Sequence, residues 1–290
     1  MLKDILITMR PIQWTKNIII FAPFIFAHKL LNYNMALEIL GAFGIFCLIS
    51  SCGYILNDLI DVKKDKEHPI KSKRPFASGR IKASPLIITI ILLLAVSFIA
   101  GSCFNPAFLY LSGAYFILQI IYSFLLKSVV ILDVFSIAAG FLLRVLAGGV
   151  AISVPISSWL IICTILLALF LAMGKRRHEL ISLGDVASTH RTVLTEYSPY
   201  LLDQMISVVT ASTVIAYALY TKAPETIEKF GGGLIYTIPF VIYGIFRYLY
   251  LIHKKEEGGN PEKILITDKP LIFNILLYIL VVLIVVYLKP

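Results

Sequence analysis

The sequence is poor in charge and has almost no long polar stretch. Only 15% of its 290 residues are charged, whereas 59% are hydrophobic, and the mean hydropathy is +0.88. Soluble domains have roughly 25% charged and 45–50% apolar residues. The shortage of charge, together with apolar runs along the whole chain, argues against a soluble domain. It predicts an all-α, polytopic membrane protein with one integral domain over residues 1–290.

Cysteine and recognised catalytic motifs are also scarce. The four cysteines, at positions 47, 52, 103 and 163, have the spacing of neither a zinc site nor a disulfide framework. We interpret them as small buried apolar residues. The sequence has no Walker motif, no HExxH motif and no convincing Ser-His-Asp pattern. The net charge of +9 fits basic loops beside a membrane, and we expect no nucleic-acid partner.

Nine apolar segments are long enough to be candidate membrane helices. They lie at about 18–32, 36–57, 84–103, 107–125, 130–151, 157–173, 202–220, 234–252 and 270–288. With these spans, one side of the membrane receives twenty basic residues and the other only four, Lys29, Lys222, Lys229 and Lys289. The positive-inside rule then predicts a cytoplasmic N-terminus, an external C-terminus and charged motifs that face the cytoplasm.

An acidic motif ends the second predicted span. If the segment is still helical there, Asp58, Asp61 and Asp65 share one face within roughly 60°. These carboxylates and the amide of Asn57 offer the oxygen ligands that Mg²⁺ takes together with substrate phosphates. We therefore predict that Asn57, Asp58, Asp61 and Asp65 bind a metal ion. A solvated, mixed-charge loop between two helices is the alternative.

Two basic stretches complete this pattern. The first follows the acidic motif and contains Lys71, Lys73, Arg74 and Arg80. Acidic residues for a metal followed by basic residues for phosphates indicate a diphosphate site. The second runs from Gly174 to beyond residue 200, and connections of that length are often functional lids. We expect loops 58–83 and 174–201 to cap an active site, the alternative being a purely topological role.

Arg144 is a charge within a predicted span. It lies about 12 residues into span 5, roughly 18 Å deep. A charge at that depth has to face the bundle interior, a partner or a water-filled cavity. We interpret Arg144 as lining a polar cavity, with a buried structural pair as the alternative. Lys127 and Asp133, at the start of the same span, are spaced like an interfacial ion pair.

Read as NDxxDxxxD on the second span, Asn57–Asp65 resembles the motif of the UbiA superfamily of intramembrane prenyltransferases, and the resemblance covers essentially the full length. It implies a helical bundle around a central cavity that opens to the cytoplasm, where two Asp-rich regions hold Mg²⁺ on a diphosphate. This sequence departs from the pattern at the second region. Asp185 and Asp203 are far apart there, and basic residues dominate.

Within the superfamily, residues 10–17, 68–79 and 174–180 resemble the decaprenyl-phosphate phosphoribosyltransferase branch. That branch implies Mg²⁺-dependent transfer of 5-phosphoribosyl from phosphoribosyl diphosphate to a polyprenyl phosphate. The product would be a lipid-linked phosphoribose for cell-envelope polysaccharide synthesis. A basic second region suits a donor with an additional phosphate group. The alternatives are an aromatic prenyltransferase that uses a polyprenyl diphosphate, and a non-catalytic membrane transporter.

The residues and the resemblance together give hypotheses about individual roles. Asp58, Asp61 and Arg144 are expected to be catalytic. The residues expected to bind substrate are Lys16, Asn17, Lys71, Arg74, Tyr122, Lys127, Lys175, Arg176, Arg191 and Tyr197. We also expect a location in the plasma membrane, and small-residue helix faces are compatible with a homo-oligomer.

Overall fold

A computed structural model describes residues 1–27, 32–67, 69–183, 192–255, 258–259 and 261–287. Over these residues the chain is helical and contains no strand, which confirms the predicted all-α class. Contacts within the chain define two compact units. The first consists of Met1–Ile156 and Ser188–Val193, and the second of Ser157–Ala187 and Leu194–Pro290. The prediction of one integral domain, with its central cavity, stays a prediction.

The first unit begins with helix α1 (Leu2–Met9), a long 3₁₀ helix (Pro11–Phe21) and the short helix α2 (Ala22–Ile25). A single α-helical span was expected over residues 18–32. Pro23 explains part of the difference, because it has no N–H to donate to the carbonyl of Ile19. That carbonyl accepts instead from the N–H of Ala22, three residues on. A 3₁₀ helix rises about 2 Å per residue, so Pro11–Ile25 covers about 28 Å, close to the hydrocarbon thickness.

Four long helices and three short ones complete the first unit. The long helices are α3 (Tyr33–Ile60), α5 (Ala83–Gly101), α6 (Pro106–Phe124) and α7 (Leu132–Ala151). The short ones are α4 (Val62–Glu67) and the 3₁₀ helices Lys71–Lys73 and Leu126–Ser128. Asparagine side chains cap α3 and α6, since Asn32 accepts from the N–H of Met35 and Asn105 from that of Phe108.

The 3₁₀ helix packs closely on α7. A Cβ atom added at Gly148 would lie 2.2 Å from the carbonyl oxygen of Ile20, so only glycine fits this contact. Small residues such as Gly148 permit this close approach of helices. Ile20, Phe46 and Phe108 are fully buried in the apolar core nearby. This packing holds the N-terminal segment in place beside the long helices.

The second unit also has four long helices and several short ones. The long helices are α8 (Ser158–Leu183), α9 (Pro199–Lys222), α11 (Ile238–Lys254) and α13 (Lys269–Tyr287). The short ones are α10 (Pro224–Phe230), α12 (Pro261–Thr267) and the 3₁₀ helices Thr192–Glu196 and Gly232–Thr237. Ser198 caps α9 by accepting from the N–H of Leu201.

Helix α8 extends well beyond the span predicted at 157–173. Hydropathy falls after residue 173, but Lys, Arg, Glu and Leu are good helix formers and no proline interrupts the segment. An ion pair between Arg176 and Glu179, three residues apart, supports this last part of the helix. The start of the expected loop 174–201 is therefore a helix, and residues 184–191 lie outside the described part of the chain.

Eight segments of the described chain are long and apolar enough to cross a membrane, against nine predicted from sequence. Each of the eight overlaps a predicted span, and the difference is the N-terminal segment that contains the 3₁₀ helix. Many large apolar side chains on these helices are exposed, as expected where helices face lipid. The chain is therefore an integral membrane protein.

Candidate active site

The acidic motif lies where α3 passes into α4. Asp61 ends α3 with φ −88° and ψ 8°, so the two helices are separated by a bend rather than joined. The N–H of Asp61 still donates to the carbonyl of Asn57, at 2.9 Å, and that of Asp65 to the carbonyl of Asp61, at 2.8 Å. These helical hydrogen bonds continue through the bend. Helical spacing of the acidic residues was predicted from the sequence, and these two hydrogen bonds maintain it.

Asp58 is buried, with 3% of its surface exposed, and is held between two arginines. Its carboxylate oxygen Oδ1 accepts a short hydrogen bond from Nη2 of Arg10 and another, at 3.1 Å, from Nη1 of Arg74. A buried carboxylate needs such partners because it has lost its hydration. Of these partners, only Arg74 was among the predicted substrate-binding residues.

Arg74 joins two of the carboxylates. The same Nη1 atom that contacts Asp58 lies 2.5 Å from Oδ2 of Asp65, which is also buried. The carboxylates of Asp58 and Asp65 thus share one guanidinium nitrogen, Nη1 of Arg74. The third carboxylate, Asp61, has its own cation, since Nζ of Lys127 lies 2.6 Å from its Oδ1 and 3.5 Å from Oδ1 of Asn57. The structure therefore pairs Asp58 with Asp65 around Arg74, and Asp61 with Asn57 around Lys127.

Arg10 reaches Asp58 from a strained backbone position. Its φ of 53° and ψ of 64° are left-handed, which is uncommon for a residue other than glycine and unfavourable before a proline. Strain of this kind is often found at functional sites. The Arg-Pro pair was the one signal in the sequence that marked this position. From the sequence, Arg10 was included only in the segment 10–17 that carries the resemblance, and its contact with Asp58 was not predicted.

The segment after Arg10 is fixed along α3. Nε1 of Trp14 donates to Oγ of Ser51 at 3.0 Å, and Nδ2 of Asn17 donates to Oγ of Ser50 at 3.2 Å. Trp14 is thus hydrogen-bonded to a membrane helix. The segment therefore orients the Arg10 side chain toward the acidic motif.

Arg144 forms a second polar network in the same unit. It is 4% exposed and donates to Oδ1 of Asn17 at 2.6 Å, to the hydroxyl of Tyr115 at 2.6 Å and to the carbonyl of Gly140 at 2.9 Å. Its guanidinium also lies 4.5 Å from the ring centroid of Tyr115. Within the described part of the chain no carboxylate is paired with it. The charge is stabilised by neutral acceptors and an aromatic face, and its predicted catalytic role stays a prediction.

The helical start of the second basic stretch lies in the second unit, and two of its arginines are paired. Arg176 is almost fully buried and contacts Glu179. Arg177 binds Asp203 through two hydrogen bonds, Nε–Oδ1 at 2.5 Å and Nη2–Oδ2 at 3.4 Å. The charge of Asp203 is thus balanced by Arg177.

The other predicted site residues are at least half-buried where the structure describes them. Lys16, Lys71 and Tyr122 in the first unit are half-buried. In the second unit, Lys175 is half-buried and Tyr197 is buried. Arg191 lies outside the described residues, as do Asp185 and His68. Their roles in binding substrate stay predictions.

A sequence profile of the UbiA prenyltransferase family matches residues 18–267. The chain belongs to this family. It is therefore a transferase, as the sequence analysis expected.

Curated relatives within the UbiA family match nearly the whole chain. The decaprenyl-phosphate phosphoribosyltransferase of Corynebacterium glutamicum is 30% identical and covers 97% of this chain and 86% of the relative. The protein of the same name from Mycolicibacterium smegmatis is 32% identical, over 91% and 86%. The 4-hydroxybenzoate octaprenyltransferase of Actinobacillus pleuropneumoniae is 30% identical over only 39% of either chain.

Solved structures of the UbiA family have the same fold. A UbiA homolog from Archaeoglobus fulgidus bound to DMAPP and Mg²⁺ superposes with a TM-score of 0.74 at 19% identity, covering 99% of this chain and 100% of that one. Digeranylgeranylglyceryl phosphate synthase superposes with a TM-score of 0.69 at 19% identity, over 99% of each chain. At this identity the likeness confirms the fold.

The donor set at the acidic motif suits a hard cation. Asp58 and Asp65 are buried carboxylates that share Arg74, and Asn57 and Asp61 offer further oxygen atoms in the same motif, the ligand type that Mg²⁺ prefers. Over the described residues, no three acidic, histidine or cysteine side chains already converge as a metal site. Arg74 occupies the position between the two buried carboxylates. These residues therefore fit a metal ion, provided that Arg74 moves.

Proposed function

We propose that this chain transfers the 5-phosphoribosyl group of phosphoribosyl diphosphate to a polyprenyl phosphate and releases diphosphate, in a reaction that depends on Mg²⁺. The observation that carries the proposal is the acidic motif, in which Asp58, Asp61 and Asp65 are paired with exchangeable cations. The curated relatives named decaprenyl-phosphate phosphoribosyltransferase, matched over 86% of their length, support the choice of substrates.

The proposal assigns the metal to Asn57, Asp58, Asp61 and Asp65. When bound there, Mg²⁺ would supply positive charge to the departing diphosphate. The carboxylates would then no longer need their present partners. Their three cations, Arg10, Arg74 and Lys127, have side chains that are 19–24% exposed, so they are positioned to change partner.

The released cations are suited to bind the donor. Arg10 and Arg74 carry planar guanidinium groups that bind phosphate oxygens through paired hydrogen bonds, and Lys127 adds a third charge. These side chains would hold the diphosphate and stabilise its charge as the bond from C1 of the ribose breaks. The acceptor phosphate has its second pKa near 6, so it is largely ionised at pH 7 and attacks without a general base.

In this proposal the site faces the cytoplasm from the plasma membrane. The twenty basic residues on one predicted side, against four on the other, support that orientation. The donor would therefore reach the acidic motif from the aqueous phase. The acceptor would remain in the bilayer through its lipid chain.

The proposal is tested with purified protein, phosphoribosyl diphosphate labelled in the ribose, and a polyprenyl phosphate in detergent micelles. We expect the label to appear in the lipid fraction, and chelation of Mg²⁺ to abolish that transfer. Reactions without the polyprenyl phosphate are the control. Absence of labelled lipid with folded, monodisperse protein would contradict the proposal.

An aromatic prenyltransferase is the second candidate. The partial match to a 4-hydroxybenzoate octaprenyltransferase favours it over other reactions of the family. Its donor would be a polyprenyl diphosphate, bound at the same acidic motif. The same preparation, offered 4-hydroxybenzoate and a polyprenyl diphosphate, distinguishes the two, since prenylated aromatic acid without labelled lipid would select this alternative.

A further inference from the structure

A groove runs along the second unit between α9 and α11. Its volume is about 580 Å³, and it extends from Asp203 to Ile215 on α9. Twelve residues of α-helix rise about 18 Å. That length is close to half of the roughly 30 Å hydrocarbon thickness of a bilayer. The groove therefore has the length of a lipid chain in one leaflet.

The walls of the groove are apolar and open. Ile215 and Phe246 line it with 58% and 60% of their surface exposed, and Ala211 between them has only a methyl group. Both helices belong to segments long and apolar enough to span the membrane. Exposed side chains on such helices meet lipid rather than water. A hydrocarbon chain is therefore the expected contents of this part of the groove.

The end of the groove at Asp203 is polar, and basic residues lie next to it. Asp203 and His253 line it, with Nδ1 of His253 4.0 Å from Oδ1 of Asp203. The charge of Asp203 is balanced by its two-point contact with Arg177. Lys254 and Lys255 follow directly and are exposed. Within the described part of the chain this end thus carries an excess of positive charge; Glu256 and Glu257 lie outside that part.

We propose that this groove binds one anionic phospholipid of the bilayer. Its phosphate lies at the end formed by His253, Lys254 and Lys255, and an acyl chain lies along Ala211 and Phe246. An amphiphile is required because one end of the groove is charged and the rest apolar. An anionic head group is favoured by the basic residues, since basic pockets between membrane helices recognise such lipids. This site is separate from the proposed reaction and does not depend on it.

The first test fills the groove. Full-length protein in nonionic detergent is delipidated and titrated with dioleoyl phosphatidylglycerol, with bound lipid counted by native mass spectrometry. Ala211→Phe places a ring in the groove, and we expect it to weaken binding of the first lipid by about tenfold. Val208→Phe is the matched control, because Val208 is 66% exposed on the same helix and does not line the groove. It should bind as the unmodified protein does.

The second test addresses the head group. We expect unmodified protein to bind phosphatidylglycerol more tightly than dioleoyl phosphatidylcholine. Each of Lys254→Gln and Lys255→Gln should weaken phosphatidylglycerol binding by about fivefold and leave phosphatidylcholine unchanged. The exposed lysines Lys263 and Lys269 give a matched charge control, since their replacement by Gln should alter neither affinity.

Three results would overturn the proposal. One is Ala211→Phe protein that binds phosphatidylglycerol as tightly as unmodified protein while melting at the same temperature. Another is equal affinity of unmodified protein for the two phospholipids. The third is an effect of Ala211→Phe on binding of a polyprenyl phosphate alone, which would make the groove a substrate site.

Discussion

The first unit contains two buried polar networks that differ in how charge is balanced. In the acidic motif each carboxylate meets a cation, and those cations, such as Arg74, are partly exposed. In the second network Arg144 is buried among neutral acceptors, Asn17, Tyr115 and a backbone carbonyl. Pairs with partly exposed cations can exchange partners when another charge arrives. A buried charge held by neutral groups cannot leave without loss of its hydrogen bonds, so we expect Arg144 to keep its partners.

The largest expected effect comes from Asp58. Asp58→Asn keeps the shape of the side chain but removes the charge that pairs with Arg10 and that would bind a metal ion in the proposed reaction. We expect turnover in the labelled-lipid assay to fall by about a hundredfold or more. Asp4→Asn is the matched control, because Asp4 contacts Arg80 away from the motif, with 3.6 Å between Oδ1 and Nη1. Unchanged Mg²⁺-dependent turnover in Asp58→Asn protein would show that the motif is structural.

Arg144→Met tests the second network, in which neutral acceptors hold a buried charge. The change leaves Asn17, Tyr115 and the carbonyl of Gly140 without their donor, at a cost of about 3 kcal/mol in the free energy of unfolding. We expect a lower melting temperature in detergent. Arg247→Met is the control, because Arg247 is 26% exposed and pairs with Asp268 near the end of a span. Equal loss of stability in the two variants would show that buried Arg144 contributes no more to stability than the partly exposed Arg247.

Arg74→Gln tests whether a cation of the acidic motif can give up its place to a metal ion. Removing the arginine between Asp58 and Asp65 removes a competitor for the metal, so apparent affinity for Mg²⁺ without substrate should rise by about fivefold. Affinity is measured by Mn²⁺ electron paramagnetic resonance with Mg²⁺ as competitor. Arg80→Gln, in the same loop but 50% exposed, should have no effect. Weaker metal binding in Arg74→Gln protein would mean that Arg74 supports the site rather than competes for it.

The smallest expected effect concerns the ion pair between Asp268 and Arg247, which serves as a reference for a partly exposed salt bridge. A hydrogen bond from Arg247 lowers the pKa of Asp268, and the N–H of Leu271 also donates to it. A lowered pKa means that the stabilisation is present above the unfolded pKa, near 3.9, and is lost as pH falls through the folded pKa. Asp268→Asn should therefore destabilise by less than about 1 kcal/mol at pH 6.

The pH dependence provides the check on Asp268. Melting temperatures of the unmodified protein and of Asp268→Asn should differ at pH 6 and converge as pH is lowered below about 4. The variant also retains an oxygen acceptor for the N–H of Leu271, so the helix cap is preserved. A difference that stays constant across this range would assign the effect to packing instead of charge.

Hydropathy and local spacing predicted most of the fold. Eight of the nine predicted spans correspond to long helices, because a run of apolar residues is a local property that a membrane helix requires. The exceptions have local causes as well. Pro23 diverts a hydrogen bond at the end of the 3₁₀ helix, and α8 continues through charged residues that favour a helix although they end the apolar run. Hydropathy alone detects neither effect.

The sequence by itself determined the membrane helices, the acidic motif and membership of the UbiA prenyltransferase family, since each is expressed in neighbouring residues. Only the tertiary structure decided which charges meet. Arg10 contacts a carboxylate 48 residues away, Lys127 one 66 residues away, and Arg144 an amide 127 residues away. Such partners are chosen by the packing of helices in the low-dielectric interior, where each buried charge needs a partner. No local pattern in the sequence carries that information.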